Sequence, residues 1–371
     1  MPLSKVLYLV PSTGYGGAET FLRHTAKFHH GIEPVYLCFR PGPLVEGLRA
    51  QGRRVIVLPV PPRLSRPWTM WQTARFVRRI ARAEGASLVH STMAYGALFG
   101  GLACLRGNLR HVWFQHGPVT GWIDRAAGFL PAAAIFVNSE HTRELQRRLS
   151  PRRALRAITL GVDAAGPVAS SGDRETLRAL IGAQRETILV GTVCRPQPQK
   201  GLELFVDAIQ ILRENTGRDI RGVVVGGSAQ PGEYEEMIRA RAGSGRTPVS
   251  FVPASENALG WMHALDVVVS AAVAPEAFGL TLIESLSQGT SVVAPAEGGP
   301  LGILNEKENG FFFEARSLTS LVYTLERVLK LSASERAVLA KGGRAAVLER
   351  FPAVNCVEQL EAQYAEIIAA A

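Results

Sequence analysis

Short runs of branched apolar residues recur along the chain. Between them lie longer stretches whose apolar positions return every three to four residues. The first pattern marks strands buried on both faces and the second marks helices that cover them. In the first half the spacing predicts strands at 6–10, 34–39, 55–60, 87–90, 111–115, 134–138 and 156–159, with helices at 18–29, 44–50, 68–84 and 140–149. Small residues over 163–172 suit a linker, and the alternation then restarts with strands at 188–194, 220–226, 249–252, 267–270, 291–294 and 310–313. Strands and helices that alternate in this way build parallel sheets with helices on both faces. The predicted fold class is therefore α/β, two Rossmann-like domains facing across a cleft. The final segment, 354–368, is amphipathic and is expected to pack back on the body.

One segment of this pattern carries chemistry. The apolar strand Asp266-Val267-Val268-Val269-Ser270 leads to a loop, Pro275-Glu276-Ala277-Phe278-Gly279, and then to a helix expected over 278–288 and closed by Gly289. Amides around Phe278, Gly279 and Leu280 would point out of the helix N-terminus and offer a seat for phosphate. Glu276 stands just before that seat and Glu284 about one turn beyond it. Carboxylates so close to a phosphate would repel the ligand unless they met its hydroxyls. A nucleotide sugar fits, with diphosphate in the middle, ribose hydroxyls on one side and sugar hydroxyls on the other.

Composition narrows the class. The 371 residues are enough for two domains of ordinary size, and 47% hydrophobic with 7% aromatic residues describes a soluble α/β protein. The apolar run at 6–10 is too short for a signal-peptide core. The longer runs at 94–105 and 126–137 fall short of the roughly 20 residues that a spanning helix needs. Cys38, Cys104, Cys194 and Cys356 show no metal-ligand spacing and are expected to be reduced, buried thiols. Charge is divided unevenly. Up to Ala165 there are 22 Lys+Arg against 8 Asp+Glu, and beyond it 19 against 24. Arg75, Arg78, Arg79 and Arg82 flank an apolar side made by Ala74, Phe76, Val77, Ile80 and Ala81, which would suit a helix resting on anionic lipid. A second group comprises Arg143, Arg147, Arg148, Arg152, Arg153 and Arg156.

Further motifs line up with the donor-like segment. They are Gly14-Tyr15-Gly16-Gly17-Ala18-Glu19 after the first strand, Gly191-Thr192-Val193-Cys194-Arg195 followed by Gln199-Lys200-Gly201, Val225-Gly226-Gly227, Ser285 to Gly289, Gly298-Gly299 and Asn309-Gly310. The glycine loop lets backbone approach a phosphate but lacks the third glycine of the dinucleotide fingerprint. Arg195 and Lys200 leave a strand end, where together they could neutralise a diphosphate.

In this order, over roughly 300 residues, the set resembles the retaining glycosyltransferases of family 4, which have the GT-B fold. The resemblance implies an acceptor domain at 1–165, a nucleotide-sugar domain at 166–350 and a C-terminal segment, 351–371, returning towards the first domain. It implies that Glu276, Arg195, Lys200 and His116 serve catalysis. Donor contacts would come from Gly16, Gly17, Arg195, Lys200, Val252, Ala277, Phe278, Gly279, Leu280, Thr281 and Glu284. In that scheme Glu284 accepts ribose hydroxyls, Glu276 meets the transferred sugar, and His116-Gly117 faces sugar or acceptor. His90 resembles a further site position. Ser139 is expected to cap the helix at 140–149.

Two positions depart from the family pattern. Gly302 stands where a glutamate is common, and Leu160 precedes Gly161-Val162-Asp163 in place of asparagine. No Asp-x-Asp loop appears, so neither metal nor other cofactor is expected. The implied activity is transfer of a sugar, with UDP-sugar favoured, to a glycan, lipid-linked or small-molecule acceptor in cell-surface polysaccharide or glycoconjugate synthesis. An epimerase or phosphorylase on the same fold, or a non-catalytic nucleotide-binding subunit, stays open at this point. The expected setting is cytoplasmic, as monomer or homodimer, with an anionic membrane face as a further partner and no nucleic acid.

Overall fold

The computed structural model describes residues 3–105, 108–119, 121–163, 170–228, 230–244, 248–254 and 257–370. The chain divides into two compact units. Unit 1 comprises 1–161 and 353–371, and unit 2 comprises 162–352. The boundary expected between 165 and 166, with the core of the predicted linker, lies outside the described residues.

Among the described residues unit 1 holds seven strands, β1 (Ser4–Val10), β2 (Ile32–Cys38), β3 (Arg54–Val57), β4 (Ala86–Thr92), β5 (Arg110–Gln115), β6 (Ala134–Val137) and β7 (Leu155–Ala157). They form one parallel sheet in the order β3-β2-β1-β4-β5-β6-β7. Unit 2 holds β8 (Ile188–Val193), β9 (Ile220–Gly227), β10 (Val249–Pro253), β11 (Val267–Val269), β12 (Ser291–Pro295) and β13 (Phe311–Phe313). Its parallel order is β10-β9-β8-β11-β12-β13. In both sheets the connections run outwards in opposite directions from one central pair, β1/β4 in unit 1 and β8/β11 in unit 2. Loops leaving the carboxyl ends of such a pair part from each other and open a crevice for ligand.

Two helices absent from the sequence reading, Met93–Ala103 and Trp122–Phe129, complete unit 1. The first is apolar all round and almost wholly buried, so it carries no amphipathic signal. Helix Pro67–Glu84 packs against it, and Ala74, Val77 and Ala81 are 3%, 0% and 1% exposed in the core with Leu7, Leu9 and Val89. Phe76 and Ile80 pack on the same core, half-buried. The apolar side read as lipid-facing is therefore occupied by protein, which corrects that expectation. Arg78 also turns inwards and donates to the Ala103 carbonyl at the end of the neighbouring helix. In the second arginine group, Arg153 donates to the carbonyls of Gly128 and Phe129, and Arg156 pairs with Glu366.

The last helix, Ala353–Ala369, returns to unit 1 and closes the sheet face opposite that core. Tyr364 hydroxyl meets His90 Nδ1 at 2.6 Å and Tyr8 hydroxyl at 2.8 Å. Tyr8 continues to His29 Nε2 at 2.7 Å, and His29 Nδ1 reaches Glu361 at 2.9 Å. Glu361 also accepts the amides of His30 and Gly31. Residues from the two ends of the chain are thus held by one buried polar relay. His90 is 0% exposed within it and serves as a structural group, not the open site position that the family likeness suggested. Burial also pushes the thiols of Cys38, Cys104 and Cys356 up to about 12 and that of Cys194 up to about 11, and all four are free.

Tyr364→Phe is expected to lower stability by about 1–3 kcal/mol, because it strands the buried Tyr8 and His90 partners. Urea unfolding followed by far-ultraviolet circular dichroism checks this, and an unchanged midpoint would remove the relay's claim to hold the helix.

Candidate active site

At the carboxyl edge of unit 2 the β8 and β11 loops converge. After β8, Pro198–Lys200 makes one 3₁₀ turn and ends at Gly201, whose φ is 62°. A Cβ at Gly201 would lie 2.1 Å from the Ala271 carbonyl oxygen, so glycine is required for the two loops to approach. The approach is reinforced by amides of Val273 and Ala274 that donate to the Gln199 carbonyl. Its consequence is that Lys200 Nζ meets Glu276 Oε1 at 2.5 Å, two candidates 76 positions apart in sequence.

The electrostatics of this pair are uneven. Their side chains are 32% and 12% exposed. Burial works against the Lys200 charge, but the Glu276 carboxylate outweighs it and holds the amine above the usual lysine range. Arg195 is exposed, makes no ion pair among the described residues and lies near enough to repel the Lys200 charge. Glu276 Oε2 is buried with no partner. A buried carboxylate oxygen is costly to leave unmatched, so this one is an acceptor waiting for a donor.

The β11 loop is shaped from behind by the β12 loop. A Cβ at Gly299 would lie 2.2 Å from the Phe278 carbonyl oxygen, and the Gly299 amide donates to the Glu276 carbonyl at 2.8 Å. Arg316, with φ 65°, forks onto Glu297 at 2.7 and 2.9 Å and donates to the Val273 carbonyl at 3.1 Å. Sequence reading singled out the glycine pair but not this arginine, for which no local pattern exists.

The helix that follows is Leu280–Ser287, two residues shorter at its start than expected, because Gly279 takes φ 107° as its N-cap. Phe278 is 8% exposed, and its ring packs edge-on against Phe351 at 6.0 Å. Its side chain therefore belongs to the core. The amides of Leu280 and Thr281 donate to no backbone carbonyl among the described residues. Gly289 closes the helix with φ 75°, as its sequence position suggested. Glu284 is half-buried on the helix, forms no ion pair among the described residues, and burial pushes its carboxyl up to about 8. Val252 is 8% exposed near the end of β10, and Ala277 is 7% exposed in the β11 loop.

Unit 1 gathers the remaining candidates at its own carboxyl edge. Gly16 precedes the helix Gly17–Phe28 as its N-cap. His116 follows β5, with its ring against Phe114 at 4.1 Å and Phe21 at 4.6 Å between centroids. Both ring nitrogens are buried and unpartnered, and burial lowers the imidazole to about 3, so it is neutral at ordinary pH. Asn138 holds the His116 carbonyl, and Ser139 Oγ accepts the Thr142 amide as the cap of Glu140–Leu149.

The perturbed Glu284 carboxyl predicts a pH-dependent stability. Between about 4.5 and about 8 the folded chain keeps a proton that the unfolded chain has released. The associated stabilisation is complete below the lower value and lost as pH rises through the upper one. Glu284→Gln should therefore match the wild type near the lower value and exceed it above the higher one, by on the order of 1 kcal/mol after allowing for partial exposure. Thermal unfolding of both proteins across this range checks it, and a constant difference would refute the assignment.

The model for the family described as Glycosyltransferase Family 4 matches residues 15–165, and that for Glycosyl transferases group 1 matches 173–346. The chain is 30% identical over 196 residues to a D-inositol 3-phosphate glycosyltransferase of Salinispora arenicola, covering 50% of this chain and 43% of that protein. It is 29% identical over 258 residues to the enzyme of the same name from Mycolicibacterium vanbaalenii, covering 64% and 54%. The matches thus span about half the length of these relatives. Among solved structures, a glycosyltransferase of Rickettsia africae superposes with TM-score 0.84 at 18% identity over 100% of both chains. Anabaena Alr3699/HepE in complex with UDP and glucose gives 0.86 at 21% identity over 98% and 99%. These likenesses establish the architecture as GT-B, and the sheets, the glycine-shaped loops and the two family matches together make this chain a member of glycosyltransferase family 4, within the group 1 glycosyl transferases.

Proposed function

We propose that this protein is a retaining, metal-independent glycosyltransferase that moves a sugar from a UDP-sugar to a glycan or lipid-linked acceptor held by unit 1. The observation that carries the reading is the Glu276 carboxylate, with one oxygen on Lys200 and the other buried and unmatched. A sugar hydroxyl donating to Oε2 would satisfy it. The free amides of Leu280 and Thr281 offer the diphosphate a seat, and Arg195 and Lys200 supply the countercharge that a metal supplies elsewhere. The uridine preference rests on Alr3699/HepE, whose complexes contain UDP and UDP-glucose. Polysaccharide or glycoconjugate synthesis is the setting that a sugar acceptor implies.

In the reaction the bond from the anomeric carbon to the diphosphate oxygen breaks while the acceptor oxygen attacks on the same face. The departing diphosphate takes the acceptor proton. No carboxylate has to act as base, so the demand falls on charge that develops on the leaving group. Glu284, protonated or ionised, receives the ribose hydroxyls. The neutral His116 imidazole can both donate and accept towards a sugar or acceptor hydroxyl.

Titration calorimetry with UDP and UDP-glucose tests the donor site, and Glu284→Ala is expected to weaken nucleotide binding about tenfold through loss of a hydrogen-bonded pair. Unchanged affinity in that variant would place the ribose elsewhere. Lys200→Ala should keep the fold but reduce turnover on the order of 100-fold or more, as removal of a leaving-group stabiliser does. Retained wild-type turnover with any donor–acceptor pair would sink the assignment of Lys200.

A further inference from the structure

Unit 1 exposes tryptophan where a buried apolar stripe was expected to meet the surroundings. Of the five tryptophans, Trp113 and Trp261 are buried, while Trp68, Trp71 and Trp122 are 61%, 54% and 65% exposed. All three belong to the helices that flank the buried helix Met93–Ala103, namely Pro67–Glu84 on one side and Trp122–Phe129 on the other. On the longer helix the exposed positions Trp68, Trp71, Arg75, Arg79 and Arg82 follow one stripe at three- to four-residue spacing. The shorter helix repeats the pattern with Trp122, Arg125 and Phe129, the last 79% exposed. These are outward faces, opposite the sides that build the core.

The charge on these stripes is of one sign. Arg75, Arg79, Arg82 and Arg125 form no ion pair among the described residues, although Arg79 does lie 4.8 Å over the Phe76 ring. Glu84, the one acid of the longer helix, is taken by Arg54, and Asp124 of the shorter one is buried against Gln115 and the Gly121 amide. Unit 1 as a whole carries 22 Lys+Arg against 10 Asp+Glu. The segment leading into the longer helix is held in place, with Thr69 Oγ1 bonded to Arg63 and Arg66 and with Tyr95 donating to the Pro62 carbonyl. The patch is therefore a fixed surface.

Large, exposed indole rings beside unpaired guanidinium groups suit one environment well. Indoles favour the boundary between headgroups and acyl chains, and each arginine near an anionic leaflet adds to the attraction. We propose that this face of unit 1 docks on an anionic lipid bilayer, with Trp68, Trp71 and Trp122 entering the interface and Arg75, Arg79 and Arg125 meeting lipid phosphates. Both helices run antiparallel to the parallel strands that they connect, so their tryptophan-bearing ends lie at the carboxyl edge of the sheet, the edge that carries His116. A docked unit 1 thereby holds that edge beside the headgroups, where a lipid-linked acceptor would be found. Only this last consequence rests on the proposed function; the docking surface does not.

The test is sedimentation of the full chain with phosphatidylcholine vesicles, with and without phosphatidylglycerol. Binding is expected only to the anionic vesicles, falling as salt is raised and accompanied by a blue shift of tryptophan emission. Combined Trp68→Ala, Trp71→Ala and Trp122→Ala should cut the bound fraction about tenfold, and Arg75→Glu with Arg79→Glu should do likewise. Unchanged thermal midpoints would confirm that these exposed substitutions leave the fold intact. Absence of binding at low salt, or full binding by both variants, overturns the proposal. So does a wild-type dimer in analytical ultracentrifugation that the tryptophan variant dissociates while vesicles are ignored, because a second copy would then be the occupant. A donor site that fails calorimetry while vesicles bind would overturn the enzymatic reading alone.

Discussion

Backbone crowding at the carboxyl edge of unit 2 determines where its charged groups can stand. At Gly201 and Gly299 the chain passes so close to a carbonyl that no side chain fits. Through the first contact the β8 loop is pressed onto the β11 loop, and Lys200 is delivered to Glu276. Through the second the β12 loop supports Glu276 from behind. The ion pair is a product of these approaches, and for a carboxylate only 12% exposed the Lys200 ammonium offsets part of the desolvation cost. Glu276 keeps its second oxygen free, with no hydrogen-bond donor to it among the described residues.

That constraint explains what could be read from the sequence. Strands came through clearly, since thirteen short apolar runs have no other way to be buried in parallel sheets. The glycine pairs also came through, because they mark places where backbone must approach backbone. Two helices of unit 1 did not. Met93–Ala103 is apolar on every side and shows no periodic contrast, and Trp122–Phe129, though amphipathic, is too short at eight residues for its contrast to register. The start of the Leu280 helix was misplaced by two residues because an N-cap glycine in the left-handed region looks, in sequence, like a helix interior. The fork of Arg316 onto Glu297 and Val273 joins three separate loops and leaves no local trace.

Charge was legible in amount but not in direction. The arginine excess of the first half is real, yet Arg78, Arg153 and Arg156 spend theirs on helix ends and on Glu366. The apolar side of Pro67–Glu84 faces the core, so the residues that meet solvent are the ones a helical projection would place on its polar side. Histidine behaved in the same way. His90 lies within β4 and His116 just after β5 of one sheet, but the first gives Nδ1 to the Tyr364 relay and leaves only Nε2 unmatched, while the second keeps two unmatched nitrogens. Only packing separates them.

The helix Ala353–Ala369 makes unit 2 an insertion within unit 1, since the chain leaves after Gly161 and comes back at Ala353. During synthesis the second sheet can therefore be finished while the first still lacks its closing helix, and Tyr8 and His90 wait without Tyr364 until residues 353–369 have been made. Strands β1 and β4 of unit 1 acquire their final surroundings only after the whole of unit 2 has been made.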